Sequence, residues 1–239
     1  MGLSQAVKDY IIRFKDDLKK DKLDRMFGKE FEDLFSQTKQ EVIDAFINSD
    51  VDIFESLITI DIGTFCFLTL PTVIKAPNVL AIGYNAFKKT NIEKVYIPNC
   101  EYIGMAAFSE CENLKSIHAP NVNQLGEYVF EHCSSLTELS LPKVDIKSCA
   151  GLVIGCRHLK KLYLPNCEPY SGMTIDDIIY YLFGDGLSHG YTFDLEELYI
   201  KDNKNEDIDM EIAEDIGECM PNLKIIDADT GNILRNYAK

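Results

Sequence analysis

IEKVYIPNCEYIGMAAFSECEN, residues 92–113, runs without a gap into LKSIHAPNVNQLGEYVFEHCSS, residues 114–135. Laid one above the other, the two share apolar residues at places one, four and six. A Pro-Asn pair follows at places seven and eight, and then (Ile/Leu)-Gly-x-x-(Ala/Val)-Phe. The frame extends both ways: PTVIKAPNVLAIGYNAFKKTN (71–91) precedes it one residue shorter, while LTELSLPKVDIKSCAGLVIGCRH (136–158) and LKKLYLPNCEPY (159–170) continue it. IDIGTFCF (60–67) repeats the second half alone, and LEELYI from Leu195 and LKIIDA from Leu223 repeat the first half alone. Three features held in phase over this many copies identify a repeat protein, in which no unit can bury its apolar face without a neighbour.

Each half of the frame has a physical reading. The apolar places one, four and six mark a short strand whose fourth and sixth residues turn inward, the fourth being Ile74, Val95, Ile117, Leu139, Leu162, Leu198 and Ile226. Proline at place seven ends that strand, because it cannot donate to a ladder. The Gly-x-x-Ala-Phe half packs a large ring into a tight corner on the far side. Asn78, Asn99, Asn121 and Asn166 stack at the turn and satisfy main-chain groups there.

IGMAAFSECENLKSIHAP and LGEYVFEHCSSLTELSLP resemble the BspA-type leucine-rich repeats, whose motif runs I-x-x-x-A-F-x-x-C-x-x-L-x-x-I-x-L-P. The resemblance covers Ile60 to Asn166 and, more loosely, Leu195 to Ala228. It implies an α+β repeat protein, a leucine-rich-repeat solenoid of ~22-residue coils. Repeats of this family are best known from bacterial and protozoan surface proteins that bind host or matrix proteins. Cys111 and Cys133 fill the family's cysteine slot, with Cys156 displaced by one, and Cys100 and Cys167 share a slot after Pro-Asn. A buried free thiol behaves as a small hydrophobe.

Outside the repeat the texture changes. Residues 1–50 carry apolar stripes at helical spacing, among them Val7, Tyr10, Ile11, Phe14 and Leu18, and predict a helical N-terminal cap that could also join two copies as a homodimer. Residues 51–228 form the solenoid and 229–239 a C-terminal tail. The period stretches to 36 residues between Leu159 and Leu195, which makes 168–194 an insertion, with a helix expected from Thr174 to Phe183.

Composition narrows the function. Of 239 residues 46% are hydrophobic and 26% charged, and the formal net charge is -15, with 39 acidic against 24 basic side chains. That field repels phosphate backbones and anionic bilayers, so neither nucleic acid nor membrane is expected as a partner. No leader-like or membrane-spanning apolar run is visible, which makes the cytoplasm the expected compartment. The eight cysteines include no C-x-x-C pair, and no zinc-binding, hydrolase or nucleotide-binding motif occurs. No cofactor, metal or catalytic residue is expected, and the protein reads as no enzyme.

What remains is a surface. Place five reads Lys75, Tyr96, His118, Ser140, Tyr163, Tyr199, and place three includes Lys94 and Lys161. At a strand spacing of roughly 4.8 Å these form an aromatic stripe flanked by charge, the chemistry favoured at protein interfaces. Tyr180 and Tyr181 of the insertion add two more aromatics. The expected function is therefore non-enzymatic binding of another protein through Tyr96, His118, Tyr163, Tyr199, Lys94 and Lys161, with Tyr180 and Tyr181. Two alternatives stand beside it: a surface or secreted adhesin of the same repeat family, and an acidic virus- or phage-encoded inhibitor of a host protein.

Overall fold

The computed structural model describes residues 53–145, 147, 149–167, 174–184, 187, 192–201 and 210–237. The helical cap expected over 1–50 lies outside the described residues. The described chain opens with a single helical turn, α1 (Ile53–Ser56), and a two-residue strand, β1 (Thr59–Ile60).

Place-four residues define the first ladder. β2 (Val73–Lys75), β4 (Lys94–Tyr96) and β6 (Ser116–His118) pair in parallel, with Ile74 opposite Val95 and Val95 opposite Ile117. β8 (Glu138–Ser140), β9 (Lys161–Tyr163), β10 (Glu197–Ile200) and β11 (Lys224–Asp227) continue in a second sheet. Each three-residue strand turns its middle residue inward and its outer two to solvent, and the following Ile97, Ala119, Leu141 and Leu164 are buried too. Period-two alternation holds in register from coil to coil.

One place departs from the expected register. Leu198 pairs with Ile225, and it is Ile225 that is fully buried, whereas Ile226 is half-exposed. Leu223 and Ile225 stand two apart where Leu195 and Leu198 stand three apart, so the last coil enters its strand one residue early. The segment expected as a C-terminal tail is also structured. Residues Ile233–Asn236 form β12, antiparallel to β11. Asp227 shapes the turn between them, accepting from the Asp229 amide at 3.1 Å and the Thr230 hydroxyl at 2.5 Å.

The far side holds a second parallel sheet of two-residue strands: β1, β3 (Ala81–Ile82), β5 (Tyr102–Ile103) and β7 (Gln124–Leu125). Gly83, Gly104 and Gly126 follow them. A Cβ at Gly104 would sit 2.7 Å from the backbone of Gly83 and Tyr84, and one at Gly126 would sit 2.1 Å from the Met105 amide nitrogen. These glycines let successive coils approach closer than any side chain permits. Beyond them the chain takes two left-handed residues four apart in every coil: Asn85 and Lys89, Ala106 and Glu110, Tyr128 and His132. That geometry directs alternate amides at the next coil, as when Ala106, Phe108 and Glu110 donate to Glu127, Val129 and Glu131 at 2.7–3.0 Å. The intervening amides of Ala107, Ser109 and Cys111 close local turns on Gly104, Ala106 and Phe108.

Phe65, Phe87, Phe108 and Phe130 stack inside these turns at 5.2, 5.2 and 5.7 Å between ring centres. Asn78, Asn99 and Asn121 bind the preceding coil's carbonyls at Glu55, Pro77 and Pro98, at 2.7–2.8 Å, in a surface ladder. Lys143, in the same slot, reaches Asn121 Oδ1 at 2.7 Å.

The stretch 168–194 contains α2 (Ile175–Phe183), capped at Thr174, whose hydroxyl accepts from the Asp177 amide while Asp177 accepts from the Thr174 amide. Ile175, Ile178, Ile179, Leu182 and Phe183 are buried. The helix is not a free excursion. Gly151 and Val153 donate to the carbonyls of Tyr181 and Leu182 at 2.8 and 3.1 Å, groups that a helix leaves without internal partners at its C-terminus. α2 thus stands where the next coil's turn would be, and α3 (Met210–Cys219) packs beside it. The Tyr237 hydroxyl donates to the buried Asp176 carboxylate, tying the end of the chain to α2.

The glycine column generates a stability test. Gly104→Ala and Gly126→Ala are expected to cost about 2 kcal/mol or more, because main chain would have to move. Gly217→Ala, whose added carbon meets only the Tyr237 ring at 3.6 Å, is expected to change stability by less than about 1 kcal/mol. Urea denaturation of the three variants measures this, and a Gly126→Ala protein as stable as wild type would remove the close approach from the account.

Candidate protein-binding surface

The outward residues of the two neighbouring sheets that begin at β2 and β8 make a strip. Lys75, Tyr96 and His118 are register partners, as are Ser140, Tyr163 and Tyr199, and β6 lies against β8. Tyr96 and His118 stack with centres 5.0 Å apart and planes 9° apart. Tyr163 and Tyr199 meet at 5.5 Å, tilted by 54°. Tyr96 is 44% exposed and Tyr163 37%, while Tyr199 is half-buried. Lys94 sits exposed at the near edge of β4.

Charge organises the C-terminal half of the strip. Lys161 pairs with Glu197 at 3.0 Å, and the Tyr199 hydroxyl donates to the same carboxylate at 2.9 Å. The Lys161 ammonium, then the Tyr199 hydroxyl, hold Glu197 below the usual carboxylate range, and Glu197 in turn holds Lys161 and Tyr199 above theirs. Tyr199 is thereby pinned in one orientation beside Tyr163. A ring already fixed loses less freedom on binding than a free one.

The structure separates the remaining two aromatics from this strip. Tyr181 is half-buried against the core and Tyr180 is exposed, both on α2 and so on the turn side. Tyr180 and Tyr181 cannot share one contact patch with Tyr96 and Tyr163, because the apolar core lies between them.

Sequence reasoning missed a second apolar area. Ile58 and Leu80, Ile62, Tyr84 and Met105, and Tyr102 are all more than 40% exposed, and all lie on or beside the two-residue strands β1, β3 and β5. Strands this short show no alternation to read, so nothing marked these residues as a face. The only hint was their recurrence in phase: Ile62, Tyr84 and Met105 occupy one place in successive coils.

Two other candidates resolve into structure. Cys111, Cys133 and Cys156 each donate their thiol to the carbonyl of a phenylalanine one coil back, Phe87, Phe108 and Phe130, at 3.0, 3.2 and 3.0 Å. Burial pushes their thiols up, that of Cys156 to about 12. Cys133 is buried while the adjacent His132 is exposed, so the two do not form a nucleophile–base pair. A groove of about 700 Å³ at the turn corner is lined by Lys88, Glu110, Glu131, His132, Arg157 and His158 among others. Several of its groups are already engaged, Lys88 with Glu110 at 3.1 Å, Glu131 with the Ser109 hydroxyl at 3.0 Å and His158 with Asp194 at 2.8 Å. Among the described residues no cluster of His, Cys, Asp and Glu could hold a metal ion, and no helix is long and apolar enough to cross a membrane.

Comparison with known proteins adds the family. A model of the BspA type leucine rich repeat region, with six copies, matches residues 44–151 and 80–172. The chain belongs to the BspA-type leucine-rich-repeat family. Similar solved structures include a leucine rich cell surface protein from Faecalibacterium prausnitzii A2-165, 20% identical over 72% of this chain and 43% of that one, with a TM-score of 0.46. Another is a leucine-rich repeat protein from Bacteroides ovatus ATCC 8483, 23% identical over 63% of this chain and 42% of that one, with a TM-score of 0.41. This chain therefore spans less than half the length of either. No curated protein matches it.

The Glu197 cluster can be tested directly. Replacing Glu197 by Gln removes the negative charge that opposes phenolate formation, so the Tyr199 pKa is expected to fall toward the ordinary phenol value. Ultraviolet difference titration, with Tyr199→Phe to assign the transition, measures the shift. An unchanged Tyr199 titration would show that the two groups are not coupled in solution.

Proposed function

We propose that this chain is a non-enzymatic scaffold, a solenoid that binds another protein through its strand face. The observation that carries the reading is the run of two neighbouring ladders, one pairing Tyr96 with His118 and the next pairing Tyr163 with Tyr199, with β6 lying against β8 and Lys94 and Lys161 alongside. Paired rings, one of them locked by Glu197, offer large contact area at small entropic cost. A stacked ladder also places recognition groups on rigid main chain rather than on loops. The net charge of -15 favours a protein partner over one rich in phosphate.

A second reading has its own observation: the exposed apolar residues beside β1, β3 and β5, with Tyr84 and Met105 at their centre. Contiguous apolar surface of this kind marks contact sites in soluble proteins.

One experiment separates the two faces. Wild-type protein, Tyr96→Ala/Tyr163→Ala and Tyr84→Ala/Met105→Ala are used as baits in lysate of the source cells, and captured proteins are quantified. The strand-face pair is expected to lower capture roughly tenfold or more with an unchanged melting temperature. Unchanged capture overturns that reading, and loss confined to the Tyr84/Met105 variant assigns binding to the other face.

A further inference from the structure

Cys149 and Cys167 use sulfur differently from the cysteine column. Their Sγ atoms lie 3.7 Å apart in the core, and neither side chain has exposed surface. Each also makes a contact with a carbonyl, Cys149 with Asp145 at 3.3 Å and Cys167 with Val144 at 3.5 Å. The thiols of Cys111, Cys133 and Cys156 run down the turn, each donating to a phenylalanine carbonyl one coil back, whereas Cys149 and Cys167 meet each other.

The repeat explains how the pair arises. Cys167 follows Pro165-Asn166, in the column of Val79, Cys100, Val122 and Val144, all fully buried. Cys149 stands two residues before the left-handed Gly151, the place held by Gly104 before Ala106 and by Gly126 before Tyr128. In those earlier coils a Cβ would strike main chain at 2.1–2.7 Å. The 23-residue coil has one extra residue just ahead of this place, no two-residue strand precedes Cys149 among the described residues, and a side chain is admitted. It points at the first residue beyond Pro-Asn in the following coil.

We propose that Cys149 and Cys167 are a cross-linking site, closing into a disulfide when the chain folds in contact with a small-molecule disulfide of the glutathione class. One cysteine thiolate attacks the small disulfide, forming a mixed disulfide and releasing one small thiolate. The second cysteine thiolate attacks the cysteine sulfur of that mixed bond and releases the other. Two electrons pass from the protein to the oxidant, and the two protons of the cysteine thiols end on the two released small thiols. Closing from 3.7 Å to the roughly 2.05 Å of a disulfide moves each sulfur by roughly 0.8 Å, which side-chain rotation can supply.

The step belongs to folding rather than to the finished fold. Hydrogen bonding to Cys167 and burial push the Cys149 thiol well up, so in the packed core it is a poor nucleophile, whereas before the coils stack both thiols meet solvent. Once closed and buried, the bond is out of reach of small reductants. It would join the last regular turn to the coil that leads into α2.

The full chain is refolded from denaturant in a mixture of oxidised and reduced glutathione, unfolded again at acid pH, blocked with N-ethylmaleimide in denaturant, digested and analysed by non-reducing mass spectrometry. The expected result is a chain lighter by two hydrogens, a linked peptide pair containing Cys149 and Cys167, and alkylation of the other six of the eight cysteines. Its melting temperature should exceed that of the reduced chain by about 5–10 °C, since an 18-residue separation closes a sizeable loop. Cys167→Val, which restores the residue of Val122 and Val144, should fold and show neither the link nor the oxidation-dependent rise. Recovery of Cys149 and Cys167 as alkylated thiols, or a mixture of other pairings in place of theirs, overturns the proposal.

Discussion

The described turns carry main-chain donors that a neighbouring element must accept. A three-residue strand makes no useful sheet alone, and a turn that sends alternate amides outward exposes them to loss unless a matching row of carbonyls lies one coil away. Register follows from that requirement. A slip of one residue would turn Ile74, Val95 and Leu139 to solvent and leave the turn amides facing amides. The glycines set how closely the coils approach, and the stacked phenylalanines fill the volume that this spacing leaves between turns.

The irregular parts meet the same requirement by other means. Beyond Leu159 no Gly-x-x-Ala-Phe segment is available, yet Gly151 and Val153 still need acceptors. The last turn of α2 supplies them, satisfying its own unpaired carbonyls in the same contact. At the end of the chain the main-chain edge of β11 is met by β12 running the opposite way, and Tyr237 carries that closing strand back to Asp176 at the start of α2. Helix, hairpin and buried carboxylate are thus successive answers to one accounting problem.

Much of this was legible because the repeat samples one environment many times. The inward places of six coils and, to within one residue, the bounds of α2 followed from apolar spacing and polar punctuation alone. The sheet of β1, β3, β5 and β7 did not, since two residues cannot display a period. Nor did the left-handed residues, where Asn85, Ala106 and Tyr128 occupy one conformation with three unrelated side chains; backbone direction there is imposed by the neighbouring coil and leaves no residue signature. The misplacement at Ile226 has a similar origin. Counting from leucine at place one puts Ile226 inward, but the last strand is aligned by its main-chain pairing with β10, and Leu223 simply stands one residue nearer. Of the surface, the ladder of Tyr96 and Tyr163 was readable from place five, whereas the opposite position of Tyr180 and Tyr181 depends on where α2 docks.

The phase shift at Leu223 and the reversal at β12 also bear on how such a chain can change in length. Between Pro71 and Ser135 each coil presents the same donors below and the same acceptors above, so this region has the symmetry of a one-dimensional lattice. A duplication or deletion of one whole unit there leaves both boundaries untouched. Past Cys149 the translation no longer maps the chain onto itself, and past β11 the polarity inverts. Main-chain pairing therefore accommodates the gain or loss of a whole unit within 71–135, but not across the antiparallel turn from β11 to β12.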